Sequence, residues 1–373
     1  MRNLFCTLLL LAAFLIQVNG QVYTNKVVGK KNEELKDSLM AKKYPYSLPI
    51  WGAKATEKGY DLPYSAGVSV NYLTQKSALL IDNLSVGFNN GPMYNLDEII
   101  RFDESEAWAA AVTVRPDIWV LPFLNVYGLM GKVQSSTAIS AGVWVPGADN
   151  VWKEVTSFST KAEFNATTMG IGMTPTIGIG GGWMALDMNC AWSDVDALEK
   201  PVFTFVFGPR LGKSFKLKKP ESNIAFWVGG FRVKFTSDTK GSINLTDVVP
   251  ASELQVKVDN GIAKVGESQV AVDNWWNGLT PTEQKNPVNE AKYETANRAL
   301  ESAGNLFNSM DAALNDGESA SVQYTLDKQL KDKWNFVVGS QYQYNKHWMI
   351  RAEYGFLGSR NQFLTSLQYR FGL

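Results

Sequence analysis

Apolar and polar residues alternate with a period of two over much of the chain, most clearly in residues 334–373. Within 361–373, one parity is apolar or aromatic and the other includes Ser366, Gln368 and Arg370. Residues 334–342 and 347–356 repeat the pattern, and turns are predicted at 345–346 and 358–361. Because successive side chains point to opposite faces of a strand, these segments predict three antiparallel strands with one apolar and one polar face.

Similar segments recur from residue 65 to residue 235. The clearest is 169–180, where Met, Ile and Pro alternate with Gly and Thr. Pro116-Asp117 predicts a turn between two strands. The pattern predicts an all-β fold, an up-and-down transmembrane antiparallel β-barrel of about 12 strands, with roughly 10–14 allowed. Alternation alone is also compatible with a soluble secreted β-protein, whose apolar face would point inward.

The end of the chain favours the membrane. Apolar or aromatic residues stand at nearly every second position back from the C-terminus, including Phe363, Leu367, Tyr369 and Phe371. This ending resembles the terminal strand of bacterial outer-membrane β-barrels, and it departs from that class at Leu373, where Phe is most usual. The resemblance implies a porin-like barrel in outer-membrane lipid and a terminal strand read by the barrel assembly machinery. It implies no catalytic residue.

The beginning of the chain predicts export. Arg2, an apolar run at 8–16 and small residues before a cleavage site after Gly20 indicate a signal peptide over 1–20. Residues 21–62 are predicted to be a periplasmic N-terminal segment. This segment is either a flexible arm or a partial plug, whose Tyr-Pro and Trp-Gly elements pack into the base of a barrel spanning 63–373.

The strand rhythm breaks between 238 and 318, which predicts an insertion, mixed and with some strand character up to 271. Asn286-Pro287 indicates the start of a helix over about 288–315. One stripe of this helix is apolar, formed by Ala296, Leu300, Ala303, Phe307, Met310 and Leu314. Its remaining surface is polar, which excludes a lipid-spanning helix. Two locations are consistent with this pattern, a plug inside the lumen and a periplasmic helix under the barrel.

The polar parity of the strands predicts the lining of the lumen. The candidate lining residues are Asp187, Asn189, Arg210, Arg232, Gln341, Arg351, Glu353 and Arg370. They would line an open channel, or pair with one another and hold a narrow barrel shut, because buried charges need partners.

Candidate chemistry is sparse. The 36 acidic and 36 basic residues balance, so no net charge points to a nucleic-acid partner. No nucleotide-binding fingerprint or cysteine–histidine zinc spacing is present, which predicts no cofactor and no metal site. The single histidine, His347, is predicted on the inner face near a strand end. A lipid-modifying barrel enzyme would need it as a base, and no neighbouring serine supports that role. The sequence therefore favours a protein that is not an enzyme, with a lipid-modifying barrel enzyme as the alternative that depends on His347.

These observations favour an outer-membrane pore or transporter for small polar solutes, gated by the helical insertion. The alternative is a non-conducting structural or adhesion barrel that binds ligands through outside loops such as 89–104 and 216–222.

Overall fold

The computed structural model of the protein describes residues 37, 40–41, 43–196, 198, 200–219, 221–235, 238–244, 251–316 and 320–373. The predicted signal peptide lies outside these residues. The strands are β1 (Ala66–Phe88), β2 (Tyr94–Asn95), β3 (Ile100–Leu121), β4 (Leu124–Pro146), β5 (Trp152–Ile179), β6 (Gly182–Val195), β7 (Val202–Lys216), β8 (Asn223–Phe235), β9 (Asp238–Asn244), β10 (Ser321–Leu330), β11 (Trp334–Gln343), β12 (Trp348–Phe356) and β13 (Arg360–Phe371). The helices are α1 (Gly52–Glu57), α2 (Ala251–Gly278), α3 (Pro281–Gln284) and α4 (Pro287–Asn315).

Ten strands form a closed antiparallel barrel in the described part of the chain, in the order β1, β3, β4, β5, β6, β7, β8, β11, β12 and β13. Closure is made by β1 and β13, which pair from Ala66 with Phe371 to Ser77 with Arg360. The end that holds Leu373 is called the near end below, and the opposite end the far end. A closed wall leaves no unpaired edge, which is the condition for a sheet to cross lipid.

The outward face of this wall is apolar. Ile171 on β5, Val228 on β8 and Phe336 on β11 are each more than half exposed, and neighbouring strands repeat the pattern. A continuous belt of large apolar side chains in water would be strongly unfavourable, so this belt faces lipid. Among the described residues, no helix is both long enough and apolar enough to span a membrane.

The described barrel has ten strands, which is the lower limit of the predicted range of 10–14 and not the central value of about twelve. The alternation predicts separate strands at 65–72 and 79–88, but residues 66–88 form the single strand β1, whose second half extends beyond the barrel wall and pairs with β10. The turn predicted at Pro116-Asp117 is also wrong, since both residues lie inside β3. Pro116 pairs with Val68 on β1, and the pairing of β3 with β4 skips from Val114 to Asp117 at this residue, which has no N–H to donate.

The helical insertion lies at the far end. Strand β8 runs from the near end to the far end, β9 continues beyond it, and β10 returns beside the extension of β1. The predicted location inside the lumen is therefore wrong. The predicted periplasmic helix under the barrel assumed the end of the C-terminus, which is the near end, and the helices lie at the opposite end. The described part of the insertion also holds two long helices, because α2 occupies a stretch predicted to be mixed.

A hydrophobic core holds the two helices on the far-end extensions of the strands. Helix α4 begins where the sequence predicts, because the Asn286 side chain accepts a hydrogen bond from the Val288 amide and Pro287 occupies the first turn. The predicted apolar stripe of α4 packs into this core, where Ala303 and Phe307 are fully buried together with Ile99, just before β3, and Val143 of β4. The insertion thus forms a layer beyond the barrel.

Candidate functional site

The lumen contains a cluster of charged side chains, called the lumen cluster below, formed by Asp187, Arg210, Arg351 and Glu353. Arg210 on β7 donates to Glu353 on β12 at 3.0 Å and lies 3.4 Å from Asp187 on β6. Arg351 forms an ion pair with Glu353 as well. Glu353 is only 3% exposed. The cluster therefore joins strands that are not neighbours in the barrel wall.

Aromatic and hydroxyl groups complete the lumen cluster. Tyr127 and Thr174 each donate to Asp187 at 2.8 Å. The guanidinium of Arg115 lies 3.5 Å from the centre of the Tyr127 ring, and that of Arg351 lies 4.8 Å from the centre of the Trp227 ring. Such stacking stabilises arginines that are removed from water.

A second polar group lies nearer the near end, around the buried Asp117 of β3. Arg370 of β13 lies 3.0 Å from one Asp117 oxygen, and Asn125 donates to the same oxygen at 2.7 Å. Gln368 donates to the other oxygen at 2.6 Å. The buried Asp117 carboxylate therefore has close partners for both of its oxygens, as low-dielectric surroundings require.

The near end is covered by residues 43–62, called the base segment below. The amides of Ser47 and Leu48 donate to the carbonyl of Leu373, and the amide of Ile50 donates to the carbonyl of Val120 at the end of β3. The base segment is thus attached at one side of the barrel opening.

At its other end the base segment is held by ion pairs. The Asp61 carboxylate lies 3.0 Å from the ammonium of Lys346, in the β11–β12 turn, and 3.8 Å from that of Lys216, at the end of β7. Burial lowers the pKa of Lys346, but the Asp61 carboxylate, with further effects of Glu221 and Tyr64, acts in the opposite direction, and the net pKa is raised. Because β3 and β7 stand on different sides of the barrel, the base segment crosses the opening.

Tyr44 anchors the start of the base segment by donating to the carbonyl of Leu48 at 2.7 Å. Burial, with a further effect of Tyr46, raises the pKa of Tyr44 from 10.0 to about 12. We expect the Tyr44 hydroxyl to titrate near pH 12, and the Tyr44→Phe variant to lack this part of the tyrosinate absorbance. Because the folded-state pKa exceeds the unfolded value, this contribution to stability is complete below pH 10 and is lost as pH rises through 12. The difference in absorbance near 295 nm between wild type and variant, followed against pH, measures the pKa of Tyr44. A midpoint near pH 10 would contradict the raised pKa.

The structure places the predicted lining residues as follows. Seven of the eight face the interior, namely Asp187, Asn189, Arg210, Gln341, Arg351, Glu353 and Arg370. Arg232 was assigned to the lining wrongly, because it is exposed on the outward parity of β8, while Ala225, Trp227 and Phe231 face inward. On β13, Phe363, Leu367, Tyr369 and Phe371 are exposed and face outward.

The prediction that His347 lies on the inner face is wrong, because this residue does not line the lumen with Arg351 and Glu353. It lies in the turn before β12, between the rings of Tyr64 and Tyr369 at 4.7 Å and 5.5 Å, and its Nδ1 is 2.8 Å from the carbonyl oxygen of Arg370. A ring held in this way is a packing element at the base. Within the described ranges, no group of His, Cys, Asp and Glu side chains is arranged to hold a metal ion.

Sequence reasoning missed four interior residues, Arg115, Asp117, Tyr127 and Arg360. Asp117 and Arg360 were assigned to turns, although their parity with Arg115 and with Arg370 would have placed them inside. Arg360 is 1% exposed and stacks 4.9 Å from the centre of the Phe231 ring. Continuing each strand through the predicted turns would have found them.

No protein-family model and no curated protein sequence matches this chain. Solved structures that it resembles are bacterial outer-membrane β-barrels. The β-domain of the Bordetella autotransporter BrkA is 7% identical, with a TM-score of 0.34 and coverage of 82% of this chain and 100% of that one. The translocator domain of the autotransporter NalP from Neisseria meningitidis is 9% identical, with a TM-score of 0.32 and coverage of 92% and 94%. An outer-membrane channel from Pseudomonas putida F1 is 9% identical, with a TM-score of 0.27 and coverage of 83% and 96%.

Proposed function

We propose that the protein is an outer-membrane channel for small polar solutes, closed at rest by the base segment. The observation that carries the proposal is a base segment attached to opposite sides of the near-end opening, below a lumen lined by charges. A barrel that only needed a filled interior would be at least as stable with apolar side chains there, because replacing buried ion pairs by packed apolar groups is often neutral or stabilising. Retained charges suit a lumen that solutes enter.

The base segment is suited to detachment. Three backbone hydrogen bonds and the Asp61 ion pairs hold its two ends, and partly exposed ion pairs contribute only about 0–1 kcal/mol each. By the resemblance of its terminal strand, the near end faces the periplasm. On the same ground, the strand with Phe363, Leu367, Tyr369 and Phe371 remains our proposed signal for the barrel assembly machinery.

We expect Asp61→Asn to increase the frequency of channel openings several-fold. The substitution removes the charge that holds Lys346 and Lys216 and leaves the lumen cluster intact. Single-channel recording in planar bilayers measures the effect. The control is Asp149→Asn, which breaks the Lys292–Asp149 ion pair of 2.7 Å in the far-end layer and should leave the openings unchanged.

The channel proposal would be overturned if neither the wild-type protein nor the Asp61→Asn variant conducts, provided that heat-modifiability on a gel shows both to be folded. The function then favoured is a non-conducting barrel that binds a ligand with its outer layer. The observation behind this second candidate is that the far-end layer has its own hydrophobic core, which conduction does not require.

A further inference from the structure

The inner face of the described barrel carries more positive than negative charge. Its arginines are Arg115, Arg210, Arg351, Arg360 and Arg370, whereas its carboxylates are Asp117, Asp187 and Glu353. The lumen cluster and the Asp117 group use all three carboxylates. The lumen therefore keeps a positive excess, although the whole chain is neutral by composition.

Part of this excess lies at the far end of the lumen, on Arg360. Its Nη2 donates to the backbone carbonyl of Asp332 at 3.0 Å, and its Nε and Nη1 form no hydrogen bond with any described residue. Arg360 pairs with Ser77 on β1, at the last residue pair that closes the barrel. Two buried donors of a cation thus remain available at the level where the wall ends.

A second cation lies just beyond, on β10. Lys328 pairs with Ile81 of β1, which is buried, so the lysine side chain points to the inside. Its ammonium donates to the Thr137 hydroxyl of β4 at 3.2 Å, and none of the ion pairs between described residues includes Lys328. Burial lowers the pKa of Lys328, and an anion beside the ammonium would offset that effect.

We propose that the far-end mouth of the lumen, with Lys328, Thr137 and Arg360, binds small anions and makes the channel selective for anionic solutes. The solute class is compounds that carry a carboxylate, sulfonate or phosphate group, because ammonium and guanidinium donors bind those groups. Rings of Arg and Lys select anions in pores for the same electrostatic reason. This inference rests on the proposed channel function.

The test is the reversal potential of open channels under a KCl gradient, recorded in the Asp61→Asn protein. We expect chloride to permeate better than potassium. Lys328→Gln should reduce the ratio of chloride to potassium permeability by at least about twofold. This is the order of magnitude expected when one unit charge about 8 Å from the ion path is removed at the dielectric constant of water. Lys132→Gln is the matched control, because Lys132 is exposed on the outward face and bonds Thr167.

A second measurement separates this inference from the channel proposal. Calorimetric titration of the folded wild-type protein in detergent with inorganic phosphate should show binding that Lys328→Gln weakens at least severalfold and Lys132→Gln leaves unchanged. Phosphate binding without conductance would overturn the channel and support the anion site. Conductance with cation preference, or a selectivity and phosphate affinity that do not change in Lys328→Gln, would overturn the anion site and leave the channel standing.

Discussion

Replacement of Glu353 by Gln is expected to destabilise the folded barrel by about 3–5 kcal/mol, the cost of removing one partner from a buried charge pair. Glu353 is almost fully buried and forms ion pairs with both Arg210 and Arg351. After the substitution, Asp187 remains near Arg210, while Arg351 loses its ion pair with the Glu353 carboxylate. Two buried arginines would then have one negative charge fewer beside them, in low-dielectric surroundings.

The measurement is unfolding in urea with lipid vesicles, followed by the loss of the fast-migrating folded band on an unheated gel. The matched control is Glu163→Gln, the same chemical change at an outward carboxylate that pairs with Lys161 at 2.8 Å and is largely exposed. Because exposed pairs are screened by water, this variant should unfold with wild type. Equal urea midpoints for the two variants would show that the lumen cluster does not stabilise the barrel.

Phe307→Ala is expected to release the helical layer and leave the barrel folded. Phe307 is fully buried in the far-end core, and Gly261 of α2 lies so close to its ring that a Cβ at that position would clash with it. Truncating a buried Phe costs about 3–5 kcal/mol. Barrel closure, by contrast, depends on the pairing of β1 with β13, which the core does not touch, so the loss should stay local.

Limited proteolysis of the intact protein tests this, with cleavage expected first between α2 and α4 and the barrel fragment still heat-modifiable. Val288→Ala is the control, because Val288 lies on the same helix and is 61% exposed. Loss of the folded barrel band together with the helices would contradict local release. Channel openings should be unaffected by Phe307→Ala, since the helices lie beyond the lumen; enlarged openings would revive the prediction that the insertion is the gate.

The sequence by itself determined the faces of the strands and one helix. Outward Ile171 and Phe336 and inward Asp187 and Glu353 follow from period-two alternation, and the start of α4 follows from Asn286-Pro287. These features depend on neighbouring residues alone, since a side chain's face is set by its place in the local repeat. Where a turn was predicted wrongly, as at Asp117, the strand was interrupted in the prediction, and the residue was not assigned to the inner face.

Only the tertiary structure decided how many strands close the barrel, where the insertion lies and which charges meet. Those outcomes depend on pairings between distant parts of the chain: β1 with β13, β8 with β11, and Arg210 with Glu353. Alternation is the same whichever strands pair, so it does not distinguish a strand in the wall from one such as β10 that extends beyond it. The helices lie at the far end because β8 runs toward that end. The direction of β8 depends on how many strands precede it, and the sequence predicted that number wrongly.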